Sequence, residues 1–327
     1  MARHIPGRAK RSGMRSGVQG QTCFHREGGS LLSGIAALVI GLLFIAVPQA
    51  RAEDELTGTL KKASDSGTVT IGYRDSSLPF SYLNQLKQPI GYAIDLCQEI
   101  VDDMANELGR DELKVDYKPV TSASRFDAVT SGAIDLECGS TTDNLERRKL
   151  VDFSPTYYVS ATKLLVRRDS PIRSYRDLRG KKVAVTAGTT NEDAIHRVFE
   201  QLKIQAEIVT GRDHAESFGL VKQGKADALA LDDVLLYGLI AADGPKGSDY
   251  TVLPENLSYE PYGIMFRKND PALSALVQKT FARLAETREL RWLYDKWFLK
   301  RLPTGERLNI PMSEELAHIF QVMGMTD

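Results

Sequence analysis

The stretch "DLRGKKVAVTAGTTNEDAIHRVFEQL", residues 177–202, decides the fold. It reads as a turn, a strand over "KKVAV", a Gly-Thr-Thr turn, and a helix over 191–202. Working outward, "AEIVTG" (206–211) is a strand, "ESFGLVKQG" (216–224) a helix and "ADALALDD" (226–233) a strand. Strands that alternate with helices in this way predict a parallel, doubly wound sheet. The same order stands upstream. "TVTIGY" (68–73) is β-rich, and "IDLCQEIVDDMANELG" (94–109) spaces Leu96, Ile100, Met104 and Leu108 four apart before closing on Gly109. "KVDYKPV" (114–120), "ASRFDAVTSG" (123–132) and "AIDLECG" (133–139) then read as strand, helix and strand. The chain encodes one half-fold twice. Beyond it, "YEPYGIMFR" (259–267) resumes strand character, residues 271–298 read as one long helix, and the Pro-punctuated tail is expected on the surface.

Residues 1–30 carry six Arg or Lys against the single acid Glu27, and residues 31–47, "LLSGIAALVIGLLFIAV", are uncharged. The "PQARAEDE" that follows puts Ala50 and Ala52 at the small-residue positions of a cleavage site. The segment reads as a secretory signal peptide over 1–52, with translation starting at Met1 or Met14. An uncleaved anchor is the alternative, since roughly 17 apolar residues can span a bilayer. Loss of residues 1–52 removes seven basic residues and one acid, leaving 35 basic and 42 acidic residues and a net charge of −7. So acidic a chain makes a poor general binder of nucleic acid or anionic membrane. About 275 residues remain, enough for two lobes. Cys97 and Cys138 stay behind, and may be read either as a disulfide or as two buried thiols.

Ligands of doubly wound sheets sit outside the C-terminal ends of the strands. The residues at those ends are "RDSS", "TSASR", "GSTT", "GTT", "GRDH" and "DD", rich in hydroxyls, Arg and His. "ECGSTTDNLERRKLVDFS" (137–154) concentrates hydroxyls and an Arg pair in one such segment, which reads either as a solvated loop or as one that closes around an anion.

At these residues the chain resembles the periplasmic solute-binding proteins of polar amino-acid ABC importers, and within them the glutamate/aspartate-binding branch. The general marks are "GYAIDLCQEIV" (91–101) and "DLRGKKVAV" (177–185). The narrower ones are "RDSSLPFSY" (74–82), "TSASR" (121–125), "ECGSTTDNLER" (137–147), "GTT" (188–190), "RDHAESF" (212–218) and "LDD" (231–233). The resemblance covers about residues 65–320 and implies a type II-like periplasmic binding protein fold. That fold has two doubly wound α/β lobes joined by a two-strand hinge, with the ligand cleft between them. On this reading lobe 1 comprises 53–163 and 260–327, and lobe 2 comprises 164–259.

The resemblance also implies roles. Arg147 forks onto the ligand α-carboxylate, as a planar guanidinium suits, while Arg148 points elsewhere into solvent. Ser140 and Thr142 offer hydroxyls to the carboxylate or ammonium. Thr190, at a helix start, favours an anion. Asp232, with Asp233 as competitor, meets the ammonium. Arg74, Ser122, Arg125 and His214 surround a distal carboxylate, with His214 a possible cation; Phe80 and Tyr82 wall the cleft or belong to the core. Three arginines against one Asp fit a ligand with two carboxylates and one ammonium. The branch has a second Cys near the position of Ile264, so a bridge from Cys138 to that position is absent here.

The function expected is capture of L-glutamate or L-aspartate, without catalysis, metal or cofactor, by a monomer that delivers its ligand to ABC transporter permease subunits. The alternative is a periplasmic dehydratase or lyase on the same scaffold, for which His214, Glu137 and Asp233 are the only general acid or base candidates. A receptor's sensing domain is a third reading, and it would need a transmembrane helix after the lobes.

Overall fold

The computed structural model describes residues 56–326. Helix α1 (Gly58–Ser66) leads into β1 (Thr68–Tyr73). A small antiparallel sheet follows, made of β2 (Ser76–Ser77), β3 (Ser81–Leu83) and β4 (Pro89–Ile90). Next come α2 (Tyr92–Glu107), β5 (Lys114–Pro119), α3 (Arg125–Thr130), β6 (Leu136–Cys138) and β7 (Val151–Phe153). The chain crosses through β8 (Tyr158–Ser160) into β9 (Thr162–Arg167) and β10 (Lys182–Thr186). It continues with α4 (Thr190–Leu202), β11 (Glu207–Gly211), α5 (His214–Lys222), β12 (Ala228–Asp232), α6 (Asp233–Ala242) and β13 (Tyr250–Val252). It returns through β14 (Glu260–Tyr262) to β15 (Met265–Arg267), and ends in α7 (Pro271–Glu286), α8 (Glu289–Tyr294) and α9 (Glu314–Val322).

Two five-stranded sheets result, in the order β5-β1-β6-β15-β7 and β11-β10-β12-β9-β13. Each has three parallel strands, as the alternating pattern predicts. Each also carries two further strands joined by antiparallel pairing, of which only the inner one, β15 or β9, is reversed, so neither is the wholly parallel sheet expected. These extra strands are three to six residues long and flank the crossovers, where the βαβ rhythm lapses. The inner strands are buried, and Val69, Ile71, Val183 and Val185 have no exposed surface. Between the sheets β8 pairs with β14, setting Ser160 opposite Glu260 and Tyr158 opposite Tyr262. Two crossing strands thus connect two lobes.

One other expectation changes, and several open readings are narrowed. The long helix over 271–298 is broken at Arg288, whose φ of 63° is left-handed. Its guanidinium donates to the Thr326 carbonyl, which fixes the turn. The tail is anchored as well as exposed, because α9 buries Leu316 and Phe320. Phe80 is enclosed by the rings of Tyr92, Tyr157, Tyr158, Tyr262 and Phe298, and Tyr82 packs on Trp297, so both belong to the core. The cysteines form a disulfide, Cys97 on α2 to Cys138 at the end of β6, with Cα atoms 6.3 Å apart. Ile264 is simply a buried core residue. The signal segment lies outside the described residues.

Candidate ligand-binding site between the two lobes

The strand ends of both sheets deliver side chains to one small, nearly filled cavity. Its walls include Ser122, Arg125, Ser140 and Thr142 from the first lobe, and Thr190, Asn191, His214, Asp232 and Leu235 from the second. Arg74 joins this group through Ser122, to which its Nη2 donates at 2.5 Å. Arg147 stands at the mouth, where Phe126 faces Gly188 and Thr189. Seven of the nine residues singled out from the sequence therefore line one interlobe space, Arg74 touches it through Ser122, and Arg147 lines an adjoining groove.

At one end the groups are mostly donors. Arg74 and Arg125 are each 2% exposed, and Arg125 Nη1 donates to the Thr141 hydroxyl at 2.6 Å. Yet Arg74 Nη1, Arg125 Nε, His214 Nε2 and Ser140 Oγ are buried without a hydrogen-bond partner. Burial, and then the Arg125 charge, pull the Arg74 pKa down to about 10, which leaves it a cation at neutral pH. His214 is the first residue of α5, and its Nδ1 lies 3.0 Å from the Thr186 hydroxyl. Burial first, then Arg74 and Arg125, push its pKa well below the usual imidazole range. His214 is therefore neutral, which corrects the expectation that it might serve as a cation.

Arg147 occupies the short 3-10 turn Arg147–Lys149, half-buried, with its guanidinium 5.2 Å from the Phe126 ring centre. Its Nη1 donates to the Thr142 carbonyl at 2.8 Å, which aims the fork across the cavity. Burial, and then Arg125, lower its pKa to about 9. Arg148 turns outward and pairs with Asp143. Arg148, Lys149 and Leu150 are all exposed, whereas Arg147 is half-buried.

At the other end lie acids. Asp232 is buried, accepting from Asn191 Nδ2 at 2.7 Å and from the Tyr262 hydroxyl. Burial first, and Glu260 second, raise its pKa to about 7. Asp233 is already engaged by Lys163 at 3.1 Å and by the Ser160 hydroxyl at 2.8 Å. Thr142 and Thr190 do not point freely into the cavity, because both donate to Glu260 at 2.6 Å.

Sequence reasoning missed Glu260 altogether and considered Glu137 only as a catalytic candidate. Glu137 is fully buried beneath the arginines, with its Oε2 taking the Thr141 hydroxyl at 2.5 Å. Three carboxylates thus stand near three arginines, and the simple surplus of positive charge inferred from sequence does not hold. The charges are instead sorted in space, and each is tied to neutral groups. A lone acid inside the otherwise uncharged "YEPYGIMF" was the available signal for Glu260. Asn191, directly after the Gly-Thr-Thr turn, had none.

Two glycines set close approach at this site. A Cβ on Gly139 would lie 2.5 Å from Glu137 Oε1 and 2.8 Å from Arg74 Cγ. Gly188, with φ 74°, approaches the backbone of Ala123 across the cleft, and a Cβ there would lie 2.8 Å from its Cα. Among the described residues no group of three or more His, Cys, Asp or Glu is placed to hold a metal ion.

Two α/β lobes, a pair of crossing strands and a charged cavity at the strand ends define a two-lobed solute receptor of the periplasmic-binding-protein kind. The chain belongs to the bacterial extracellular solute-binding proteins, family 3, whose pattern it matches over residues 69–300. It is 44% identical to the L-glutamate/L-aspartate-binding protein of Pseudomonas aeruginosa over 89% of this chain and 95% of that one. It is 37% identical to the glutamate/aspartate import solute-binding protein of Salmonella typhimurium, over 88% and 95% of the two chains. Among solved structures it is similar to the ancestral amino acid-binding protein AncCDT-1, a precursor of cyclohexadienyl dehydratase. There the identity is 32% and the TM-score 0.63, covering 73% of this chain and 99% of the other.

Proposed function

We propose that this protein is exported through its N-terminal signal peptide and captures L-glutamate or L-aspartate outside the cytoplasmic membrane. It then presents the ligand, as a closed monomer, to the permease subunits of an ABC importer. One observation carries the reading. Buried, unpartnered polar atoms of Arg74, Arg125, His214 and Ser140 face one end of the cavity, and Asp232, bonded only to neutral donors, faces the other. A solute with a carboxylate at one end and an ammonium at the other satisfies both. Arg147 takes the α-carboxylate, with the first backbone N–H groups of α4 near Thr190 beside it. Ser140 completes this part of the site, Thr142 and Asp232 take the ammonium, and Arg74, Ser122, Arg125 and neutral His214 take the distal carboxylate. The names of the Pseudomonas aeruginosa and Salmonella typhimurium relatives support the same ligands.

The lobes comprise 53–163 with 260–327, and 164–259, and closure is a hinge motion about the paired strands β8 and β14. We read the protein as a binder and not an enzyme. Of the candidate bases, Asp233 is committed to Lys163 and Glu137 Oε2 to Thr141, and His214 is assigned here to the distal carboxylate. The decisive experiment is calorimetric titration of the exported protein, unfolded and refolded to strip carried-over solute. The panel is L-glutamate, L-aspartate, L-glutamine, L-histidine and a dicarboxylate lacking the ammonium. Tight binding confined to the two acidic amino acids is expected; binding of the plain dicarboxylate, or of nothing in the panel, would overturn the reading.

A further inference from the structure

Glu260 is 2% exposed at the start of β14, the strand by which the chain returns from the second lobe to the first. Its Oε2 accepts from Thr142, in the first lobe, and from Thr190, at the head of α4 in the second, each at 2.6 Å. Those two hydroxyl oxygens are 3.3 Å apart. Its Oε1 accepts from Ser258 and, at 3.5 Å, from Thr162, beside the two crossings. All four of these donors are neutral hydroxyls. A short polar chain links Glu260 to Asp232: Ser258 Oγ lies 2.6 Å from Thr162 Oγ1, and Asn191 Nδ2 lies 2.7 Å from both Thr162 Oγ1 and Asp232 Oδ1.

A hydroxyl has one proton and two lone pairs. With their protons given to Glu260, Thr142 and Thr190 present only lone pairs to the cavity, and lone pairs suit a cation. Two carboxylates buried on neutral donors leave negative charge that Arg125 and Arg147 only partly offset, and an incoming cation answers the rest.

We propose that Glu260 is a positioning residue of the ammonium subsite, tying the two lobes together through Thr142 and Thr190, turning the lone pairs of these hydroxyls toward the ligand ammonium, and adding its own charge to that of Asp232. This rests on the amino-acid reading above. The other charged groups near the pair are Asp233, already held by Lys163, and Arg125 and Arg147 across the cavity. The Tyr262 hydroxyl stays protonated, its pKa pushed well above its usual value by burial and by Asp232.

The test is titration of L-glutamate into the wild type and the near-isosteric Glu260→Gln from pH 5.5 to 8.5, with thermal melts to verify folding. The wild-type affinity should rise with pH, with a midpoint near 7, where Asp232 titrates. In Glu260→Gln the affinity at pH 8 should fall by about tenfold or more, and the midpoint should move down by about one pH unit or more as Asp232 loses a like-charged neighbour. A folded variant with unchanged affinity and midpoint overturns the proposal. So does a loss equal at every pH with the midpoint unmoved, which is what a purely structural residue would give. If the variant does not fold, Thr190→Ser and Thr190→Val decide. A Ser variant that keeps the wild-type affinity beside a Val variant that loses about tenfold supports the proposal, and equal affinities overturn it. A wild type that binds no amino acid overturns the functional reading, and this proposal with it. Binding by the wild type with an unaltered variant sinks the role of Glu260 alone.

Discussion

Asn191 donates its side-chain amide to Asp232 Oδ1 at 2.7 Å, orienting the carboxylate without neutralising it. Asp232 therefore stays buried beside Glu260 with its pKa raised to about 7. An ammonium favours the ionised acid, so binding expels whatever proton Asp232 holds. Affinity for L-glutamate should fall as pH drops below 7, by up to about tenfold per pH unit, and level off above pH ~8. His214, already neutral, should add no opposing limb. Calorimetry across this range checks the sign: an affinity that strengthens on acidification would reinstate His214 as a cation.

Asp232→Asn should abolish amino-acid binding and stabilise the ligand-free protein. The raised pKa means that the folded site holds a proton that the unfolded chain releases near pH 3.8. Stability from this group is thus complete below that value and is lost as pH rises through about 7. The gain in melting temperature should be larger at pH 8 than at pH 5, and an equal gain at both would remove the electrostatic explanation.

Arg147→Ala should weaken every amino acid, by about 3 kcal/mol or more, because the ligand α-carboxylate loses its charged partner in a closed cavity. Arg74→Ala should act selectively, weakening L-glutamate far more than L-glutamine. Equal losses for the two ligands would show that Arg74 supports the site without reading the side chain.

Gly188→Val should leave the lobes folded but impair their closure, because the new side chain meets the Ala123 backbone across the cleft and the position has φ 74°. Weakened ligand affinity with little change in the far-ultraviolet spectrum is the expected result. A variant with wild-type affinity would mean that the lobes close with a different contact.

Breaking the bridge with Cys97→Ala and Cys138→Ala together should cost about 4 kcal/mol of stability by the loop-closure estimate, given a separation of 41 residues. Denaturant titration measures the loss. A midpoint equal to that of the wild type would show that packing of α2 on β6 suffices.

By itself the sequence determined the repeated strand and helix order, because burial of sheet faces under amphipathic helices imposes periods of two and 3.6 that survive in one dimension. It also marked the strand ends as the place to look for a site, since these are fixed once the strands are known. Ser122, Arg125, Ser140, Thr142, Thr190, His214 and Asp232 line one interlobe space, with Arg74 behind Ser122 and Arg147 in an adjoining groove. What only the tertiary structure decided were the interactions across long separations. Thr142 and Glu260 are 118 residues apart and meet at 2.6 Å. Cys97 reaches Cys138 because α2 lies against β6. The antiparallel strands β9 and β15 are specified by their partners more than by their own short runs. His214 lost its charge for the same reason: the desolvation and the two arginines that suppress it come from folding, and no local spacing records them.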